Sequence, residues 1–89
     1  MEKHFVYIIY SEKHDIFYKG YTTQPFKRLE QHNNGESRFT ANKGPWKLVF
    51  IQEFDTKKEA LQKEKALKRS NRKYLKWIIA REKSLSIDF

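Results

Sequence analysis

Arg28 and His32 have residue types and a spacing suited to chemistry on a phosphodiester. They are four residues apart, so both would lie on one face of a helix. A guanidinium is a planar fork that matches phosphate, and an imidazole can give a proton to a phosphodiester or take one from it. The alternative is a surface helix with ordinary polar residues, whose buried side is formed by Phe26 and Leu29.

Glu64 is a carboxylate within the apolar stripe of a second expected helix. It follows Ala60 by four residues and precedes Leu67 by three. A carboxylate drawn toward a low dielectric needs a basic partner or a hard cation, and one carboxylate with waters and a phosphate commonly holds Mg²⁺. The alternative is a solvated position at the edge of the apolar stripe, where Glu64 pairs with Lys68 four residues later.

An expected hairpin carries several tyrosines, which are also simply common in strands. One register pairs Tyr10 with Asp15 and places Tyr7 directly across from Tyr18. A register shifted by one residue puts Tyr7 and Tyr18 on opposite faces of the sheet. The sequence does not decide between these registers. Gly20 leaves space where a backbone or a ligand comes close, or else it marks a bulge.

Positive charge is concentrated in the C-terminal half of the chain. The formal net charge is +8, and residues 56–83 carry 11 basic and three acidic side chains. This favours a polyanionic partner, most simply the phosphates of nucleic acid, although a solvated helical face would show the same pattern. A helix on a membrane surface is disfavoured, because Glu59, Glu64 and Glu82 interrupt the basic face.

Length and composition exclude several other classes of protein. The chain has 89 residues, enough for one domain, and no cysteine. Disulfides, thiolate zinc sites and a cysteine nucleophile are therefore excluded. No apolar run reaches the ~18–20 residues of a membrane span, and the charged start does not resemble a signal peptide. We expect a cytoplasmic protein without membrane contact.

Apolar periodicity and turn residues predict six elements in the order ββαβαα, an α+β domain over residues 1–83 with a tail at 84–89. A three-stranded, mainly antiparallel sheet would be flanked by helices. Glu59 follows Thr56 by three residues, as in a capping box. The expected elements are strands at 5–10, 16–22 and 47–54, with helices beginning near Gln24, Thr56 and Ser70. In the third helix, one stripe is expected to contain Tyr74, Trp77, Ile78 and Arg81.

The order of these motifs resembles the GIY-YIG endonuclease family over roughly residues 4–80. Phe5-Val6-Tyr7 resembles the first signature tripeptide, with Phe and Val where the family has Gly and Ile. Tyr18-Lys19-Gly20 resembles the second, with Lys19 in place of an apolar residue. Many members carry an asparagine where this chain has Lys76. The other matching segments are Arg28-Leu29-x-x-His32-Asn33, Arg38-Phe39-Thr40, Gly44-Pro45-Trp46 and a helix over 60–68.

The resemblance implies a divalent-metal-dependent endonuclease that hydrolyses DNA. Tyr7 would activate or position the attacking water, and Tyr18 would support the surrounding hydroxyl network. Arg28 would stabilise the charge of the transition state, and His32 would contact the phosphate or assist proton transfer. Glu64 would hold one Mg²⁺ or Mn²⁺. Tyrosine titrates near ~10, so positive charge from Lys19, Arg28 and the metal is expected to lower the pKa of Tyr7.

The same resemblance implies branched or flapped DNA as substrate, in repair or recombination, and targeting that could depend on a protein partner. The alternative is a non-catalytic nucleic-acid-binding module that keeps the fold, and a third hypothesis is a protein-interaction domain. Basic residues outside the catalytic set are expected to contact DNA, mostly from the third helix. They are Lys19, Arg38, Lys68, Arg69, Arg72, Lys73 and Lys76.

Overall fold

The computed structural model describes residues 2–81, and these form the predicted six elements in the order ββαβαα. The tail predicted at 84–89 lies outside the described residues. None of the helices in the described part has the length and apolarity of a membrane span. The elements are β1 His4–Ser11, β2 Ile16–Thr22, α1 Pro25–Asn33, β3 Trp46–Phe54, α2 Lys57–Lys68 and α3 Arg72–Arg81.

The sheet has the order β2-β1-β3, and both strand pairs are antiparallel. β1 is therefore the central strand, which explains why its sequence is apolar on both faces. Val6 and Ile8 pack into a core completed by α2 and α3, whereas Tyr7 and Ile9 pack with Trp46 on the other face. The sheet is thus buried on both sides, and β2 is one of its two edge strands.

The hairpin adopts neither of the two registers considered from the sequence. Tyr10 pairs with Phe17, so Tyr18 lies opposite Ile9 and Tyr7 lies opposite Gly20. Tyr7 and Tyr18 consequently share one face as diagonal neighbours, because residues two apart on a strand point the same way. The longer turn accommodates this register through Asp15, which has a φ of 54°.

α2 begins as the sequence predicts. The Thr56 hydroxyl oxygen accepts a hydrogen bond from the Glu59 backbone N–H at 3.2 Å, and the same hydroxyl donates to the Glu59 carboxylate at 2.9 Å. Ala60 and Leu67 are buried against the sheet. Packing of Ala60 and Leu67 thus sets which side of α2 faces the sheet, and Glu64 lies about 40° from Ala60 around the helix, at the edge of that side.

Three local predictions about the other helices are wrong. Asn71, rather than Ser70, caps α3, since its side-chain oxygen accepts from the Tyr74 N–H at 2.8 Å. Leu75 and Ile78 form the buried stripe of α3, and Tyr74 and Trp77 point outward. In α1, Phe26 is 55% exposed instead of buried. For the stripe of α3 and for Phe26, the side facing the sheet is set by packing, which helical periodicity alone does not determine.

Leu67→Ala should lower the free energy of unfolding by about 2–5 kcal/mol, because Leu67 is 1% exposed in the core between the sheet and the helices. Leu61→Ala is the matched control on the same helix. Leu61 is 39% exposed, so its truncation should cost less than about 1 kcal/mol. Denaturant titrations followed by circular dichroism measure both values, and equal losses would contradict this packing of α2.

Candidate active site

A hydrogen-bonded chain of side chains connects β1, α1 and the loop that precedes β3. The Tyr7 hydroxyl lies 2.8 Å from Nε2 of His32, and Nδ1 of His32 lies 2.7 Å from the Thr40 hydroxyl. The Thr40 hydroxyl donates to the Ser37 carbonyl oxygen at 3.5 Å. We therefore assign the imidazole proton to Nδ1, which donates to Thr40, so that Nε2 accepts the proton of the Tyr7 phenol.

Burial decides the charge states of this pair. Together with the positive charge of Arg28, which is the smaller cause, burial lowers the pKa of His32 to about 4. Burial also raises the pKa of Tyr7 to about 12, although a hydrogen bond and the charge of Arg28 oppose this rise. At neutral pH the pair is therefore a phenol and a neutral imidazole. The expectation that positive charge lowers the pKa of Tyr7 is wrong for the protein alone, because desolvation outweighs Arg28.

Tyr18 and Gly20 complete the floor of the cluster from the edge strand. The Tyr18 and His32 rings are 5.1 Å apart between centroids and tilted by 59°, so His32 contacts both tyrosines. A Cβ atom at Gly20 would lie 2.5 Å from Cζ of Tyr7. Only glycine leaves room for the Tyr7 ring to cross β2, which confirms the close approach and removes the alternative of a bulge at this position.

α1 presents Arg28 to the same cluster, as the i, i+4 spacing predicts. Arg28 is half-buried, and its Nη1 donates to the Gln31 side-chain oxygen at 3.1 Å. Its guanidinium influences the pKa of both Tyr7 and His32, so it lies beside the hydrogen bond that joins them. A fixed cation next to a neutral proton-transfer pair is suited to a phosphate oxygen.

Glu64 approaches from α2, which packs on the opposite face of the sheet. Its side chain is 18% exposed, and one carboxylate oxygen lies 3.3 Å from Nζ of Lys68. This ion pair is the alternative considered from the sequence. The carboxylate nevertheless lies close enough to Tyr7 for its negative charge to raise the pKa of the phenol. Its low exposure fits a position beside the buried stripe of α2, and its role as a metal ligand stays a prediction.

The chemistry of Glu64 fits a hard divalent cation. Within residues 2–81, no group of three or more histidine, aspartate or glutamate side chains is placed to hold a metal ion. A cation here would take one oxygen ligand from Glu64 and the rest from water and phosphate. Mg²⁺ accepts such a ligand set, and Mn²⁺ prefers the same oxygen donors.

The basic residues predicted to contact DNA are distributed unevenly around this cluster. Lys19 lies near Lys68, whose charge adds to burial in lowering the pKa of Lys19. Arg72 is held at the far end of the hairpin, where it hydrogen-bonds the Asp15 carbonyl oxygen at 3.1 Å and pairs with the Asp15 carboxylate. The remaining members of the set are exposed; they are Arg38, Arg69, Lys73 and Lys76.

Thr40 is a site residue that the sequence analysis did not identify. Its side chain is 1% exposed and holds Nδ1 of His32. Trp46 fixes the loop around it, because its ring N–H donates to the Thr40 carbonyl oxygen at 3.1 Å and its backbone N–H donates to the Asn33 side chain at 2.6 Å. The only signal for Thr40 was its place in the Arg38-Phe39-Thr40 motif.

An open cavity of about 380 Å³ lies beside His32, between the C-terminal end of α1 and the loop that precedes β3. Its lining includes Asn42 and Pro45 together with His32. His32 itself is only 1% exposed, so the cavity borders this residue but leaves it buried. The cluster as a whole combines a buried phenol–imidazole pair, a cation at Arg28 and a carboxylate at Glu64.

Comparisons with known proteins identify relatives of similar length. A family model described as the GIY-YIG catalytic domain matches residues 3–77. The UPF0213 protein SSP2268 of Staphylococcus saprophyticus is 41% identical over 80 residues, which cover 88% of this chain and 96% of that protein. The UPF0213 protein YazA of Bacillus subtilis is 38% identical over 71 residues, which cover 79% of this chain and 71% of that protein.

Solved structures agree with the fold. The solution structure of the UPF0213 protein BH0048 of Bacillus halodurans matches with a TM-score of 0.59 and 30% identity, covering 90% of this chain and 85% of that one. The solution structure of EF2693 of E. faecalis gives the same TM-score and identity, and the match covers 100% of this chain and 94% of that one. The α+β architecture predicted from the sequence is thus confirmed, and the names of these relatives say nothing of a substrate. Because the family model matches most of the chain, this protein belongs to the GIY-YIG family and carries the domain of a nuclease family.

Proposed function

We propose that this chain is a divalent-metal-dependent endonuclease that hydrolyses phosphodiester bonds in branched or flapped DNA. The observation that carries the proposal is the buried Tyr7–His32 hydrogen bond with Arg28 beside it and Glu64 within electrostatic range. Pure nucleic-acid binding needs cations and aromatic rings, but it does not need a buried phenol–imidazole pair of this kind. Branched and flapped structures arise in DNA repair and recombination, and action there would place the protein in the cytoplasm.

The geometry supports a proton relay. A water that attacks phosphorus would give a proton to the Tyr7 oxygen while Tyr7 gives its own proton to Nε2 of His32. A free phenolate, which the raised pKa makes costly, then never has to form before the attack. His32 is neutral and offers a free lone pair at Nε2, which Thr40 keeps pointed at the phenol. Burial and Arg28 disfavour the imidazolium that the relay forms, and the negative charge of the bound phosphate would offset this cost. The new P–O bond forms as the bond to the 3′ oxygen breaks, and solvent protonates that oxygen.

The charges around the relay would favour the transition state. Arg28 would pair with the phosphate oxygens, on which negative charge accumulates during attack. A Mg²⁺ or Mn²⁺ held by Glu64 would supply Lewis-acid stabilisation of that charge, and members of the family generally use divalent metals. Lys68 would be released from its ion pair with Glu64 and become free to contact the DNA backbone. Targeting could still depend on a protein partner.

Glu64→Gln should lower the rate of DNA cleavage by at least about 100-fold, because an amide is a much poorer ligand for a hard cation. Glu30→Gln is the control, since Glu30 is an exposed carboxylate on α1. Both variants should retain the wild-type fold. The assay follows nicking of branched, flapped and linear DNA with Mg²⁺ or Mn²⁺. Equal cleavage by wild type and Glu64→Gln would reject the site, and no cleavage by wild type would favour the non-catalytic binding module.

Tyr7→Phe should lower the cleavage rate by about 100- to 10,000-fold, because it removes the oxygen that relays the proton and keeps the ring. Tyr10→Phe is the matched control on the same strand, where the hydroxyl donates to Asp15 at 2.6 Å in the hairpin turn. It should cleave at nearly the wild-type rate. Single-turnover kinetics separate this loss from weaker DNA binding, and a fully active Tyr7→Phe protein would contradict the relay.

The stability of the fold should decrease as the pH falls from 6.5 toward 4. In this range the unfolded chain protonates His32, whose ordinary pKa is 6.5, while the folded protein keeps it neutral down to a pKa of about 4. The unfolded state then binds more protons, and the free energy of unfolding falls by about 3 kcal/mol. His32→Gln should flatten this dependence.

Urea unfolding at several pH values measures this change, and NMR of the imidazole nitrogens reports the proton on Nδ1. The carboxyl groups with lowered pKa values, Asp15 and Asp55, lose their stabilising contribution as the pH falls through their ordinary pKa of 3.8, so their effect is largest below this range. A His32 that titrates near 6.5 in the folded protein would be inconsistent with the buried neutral pair.

A further inference from the structure

The outward side of α3 carries two aromatic side chains that the sheet does not cover. Tyr74 is 40% exposed and Trp77 is 52% exposed. Their rings are 5.8 Å apart between centroids and tilted by 33°. The guanidinium carbon of Arg81 lies 5.2 Å from the centroid of the Trp77 ring. Single exposed apolar residues are ordinary on a surface, but here two rings and a guanidinium form one continuous patch.

The same side of the helix is positively charged. α3 contains four basic residues and no acidic residue. At 3.6 residues per turn, Lys73, Tyr74, Trp77 and Arg81 lie within about 100° of the helix circumference, and we call them the α3 outer face. Arg72 and Lys76 lie on the other flank, where the charges of both act on Asp15. The two rings are therefore flanked by Lys73 and Arg81, which are different from the two cations that act on Asp15 in the hairpin turn.

The charges and aromatic rings of the α3 outer face favour one class of ligand over the others. A second copy of this chain would place two basic helices against each other, and the like charges would repel. An apolar segment of protein would leave Lys73 and Arg81 without a partner. Single-stranded DNA supplies phosphates for the cations and free base planes for the rings, whereas a duplex keeps its base planes inside its own stack.

We propose that the α3 outer face binds single-stranded DNA, with unpaired bases stacked on Tyr74 and Trp77 and phosphates paired with Lys73 and Arg81. This inference rests on the proposed function, because it takes DNA as the substrate. It narrows that substrate to DNA that contains unpaired bases. The unpaired strand of a flap or branch meets this requirement.

The test measures DNA binding without cleavage, in EDTA, so that its result is independent of the nuclease proposal. The probes are a fluorescein-labelled thymidine oligonucleotide and a blunt duplex of equal length. Trp77→Ala should weaken binding of the single strand about 10-fold or more and binding of the duplex less than about 2-fold. Tyr74→Ala is a second variant in the same face, and it should act in the same direction.

Tryptophan fluorescence gives an independent readout. The chain has two tryptophans, and Trp46 is only 5% exposed, so quenching by the oligonucleotide reports on Trp77. Wild type should lose emission as the single strand is added. Trp77→Phe should lose this signal while it keeps most of the affinity, because phenylalanine still provides a ring for stacking.

Phe39→Ala is the matched control, because Phe39 is 71% exposed but lies in the loop that precedes β3. It should leave binding of the single strand within about 2-fold of wild type. Equal losses for Trp77→Ala and Phe39→Ala, or equal losses for single strand and duplex, would overturn the proposal. Trp77 emission that the single strand does not quench would also overturn it. Cleavage that fails while stacking is detected would reject the nuclease proposal alone.

Discussion

The hydrogen bond between the Tyr7 phenol and the His32 imidazole is the interaction on which the candidate site depends. Both groups are almost completely buried, so each requires a partner, and each is a partner of the other. Several separate features of the chain make this bond possible. Gly20 leaves room for the ring of Tyr7, Thr40 occupies the second imidazole nitrogen, and Trp46 holds the loop that carries Thr40. Loss of Thr40 or of its contact with Trp46 would leave a buried polar atom unsatisfied. A side chain at Gly20 would displace the ring of Tyr7.

Burial also explains how a strongly basic protein keeps an uncharged proton-transfer pair beside a guanidinium. Arg28 favours a phenolate at Tyr7 and disfavours an imidazolium at His32. Desolvation opposes the first effect and reinforces the second, so both groups stay neutral. Under the proposed function, the cation would act on a ligand that brings negative charge, and the pair would transfer a proton when that ligand arrives.

The two faces of the sheet carry different parts of the candidate site. One face buries Tyr7 and Ile9 under α1 and the loop that precedes β3, and the other packs against α2 and α3. Glu64 and Lys68 lie on the second face, so contributions from the two faces converge at the edge strand β2, where Gly20 lies. α3 then has one side committed to the core and one side free for the aromatic and basic residues of its outer face.

Much of the fold followed from local patterns. β1 was predictable from its β-branched residues, the start of α2 from the Thr56–Glu59 pattern, and the end of α1 from the turn residues that follow it. Each of these patterns involves only neighbours within a few positions. The i, i+4 pair of Arg28 and His32 and the family resemblance were equally visible in the sequence. The place of Glu64 in its helical stripe followed from the same periodicity.

Other features depended on contacts between residues far apart in the chain. The hairpin register needed Asp15 in a left-handed conformation, and neither register weighed from the sequence allowed for it. The predicted stripe of α3 mixed two sides of the helix, because periodicity alone did not show that Leu75 and Ile78 face the core while Tyr74 and Trp77 point outward. The Thr40 contact, the proton on Nδ1 and the raised pKa of Tyr7 all arise from burial. The sequence by itself determined the elements and the candidate site residues, and the tertiary structure decided their partners and charges, because burial is a property of the packed chain and not of any local segment.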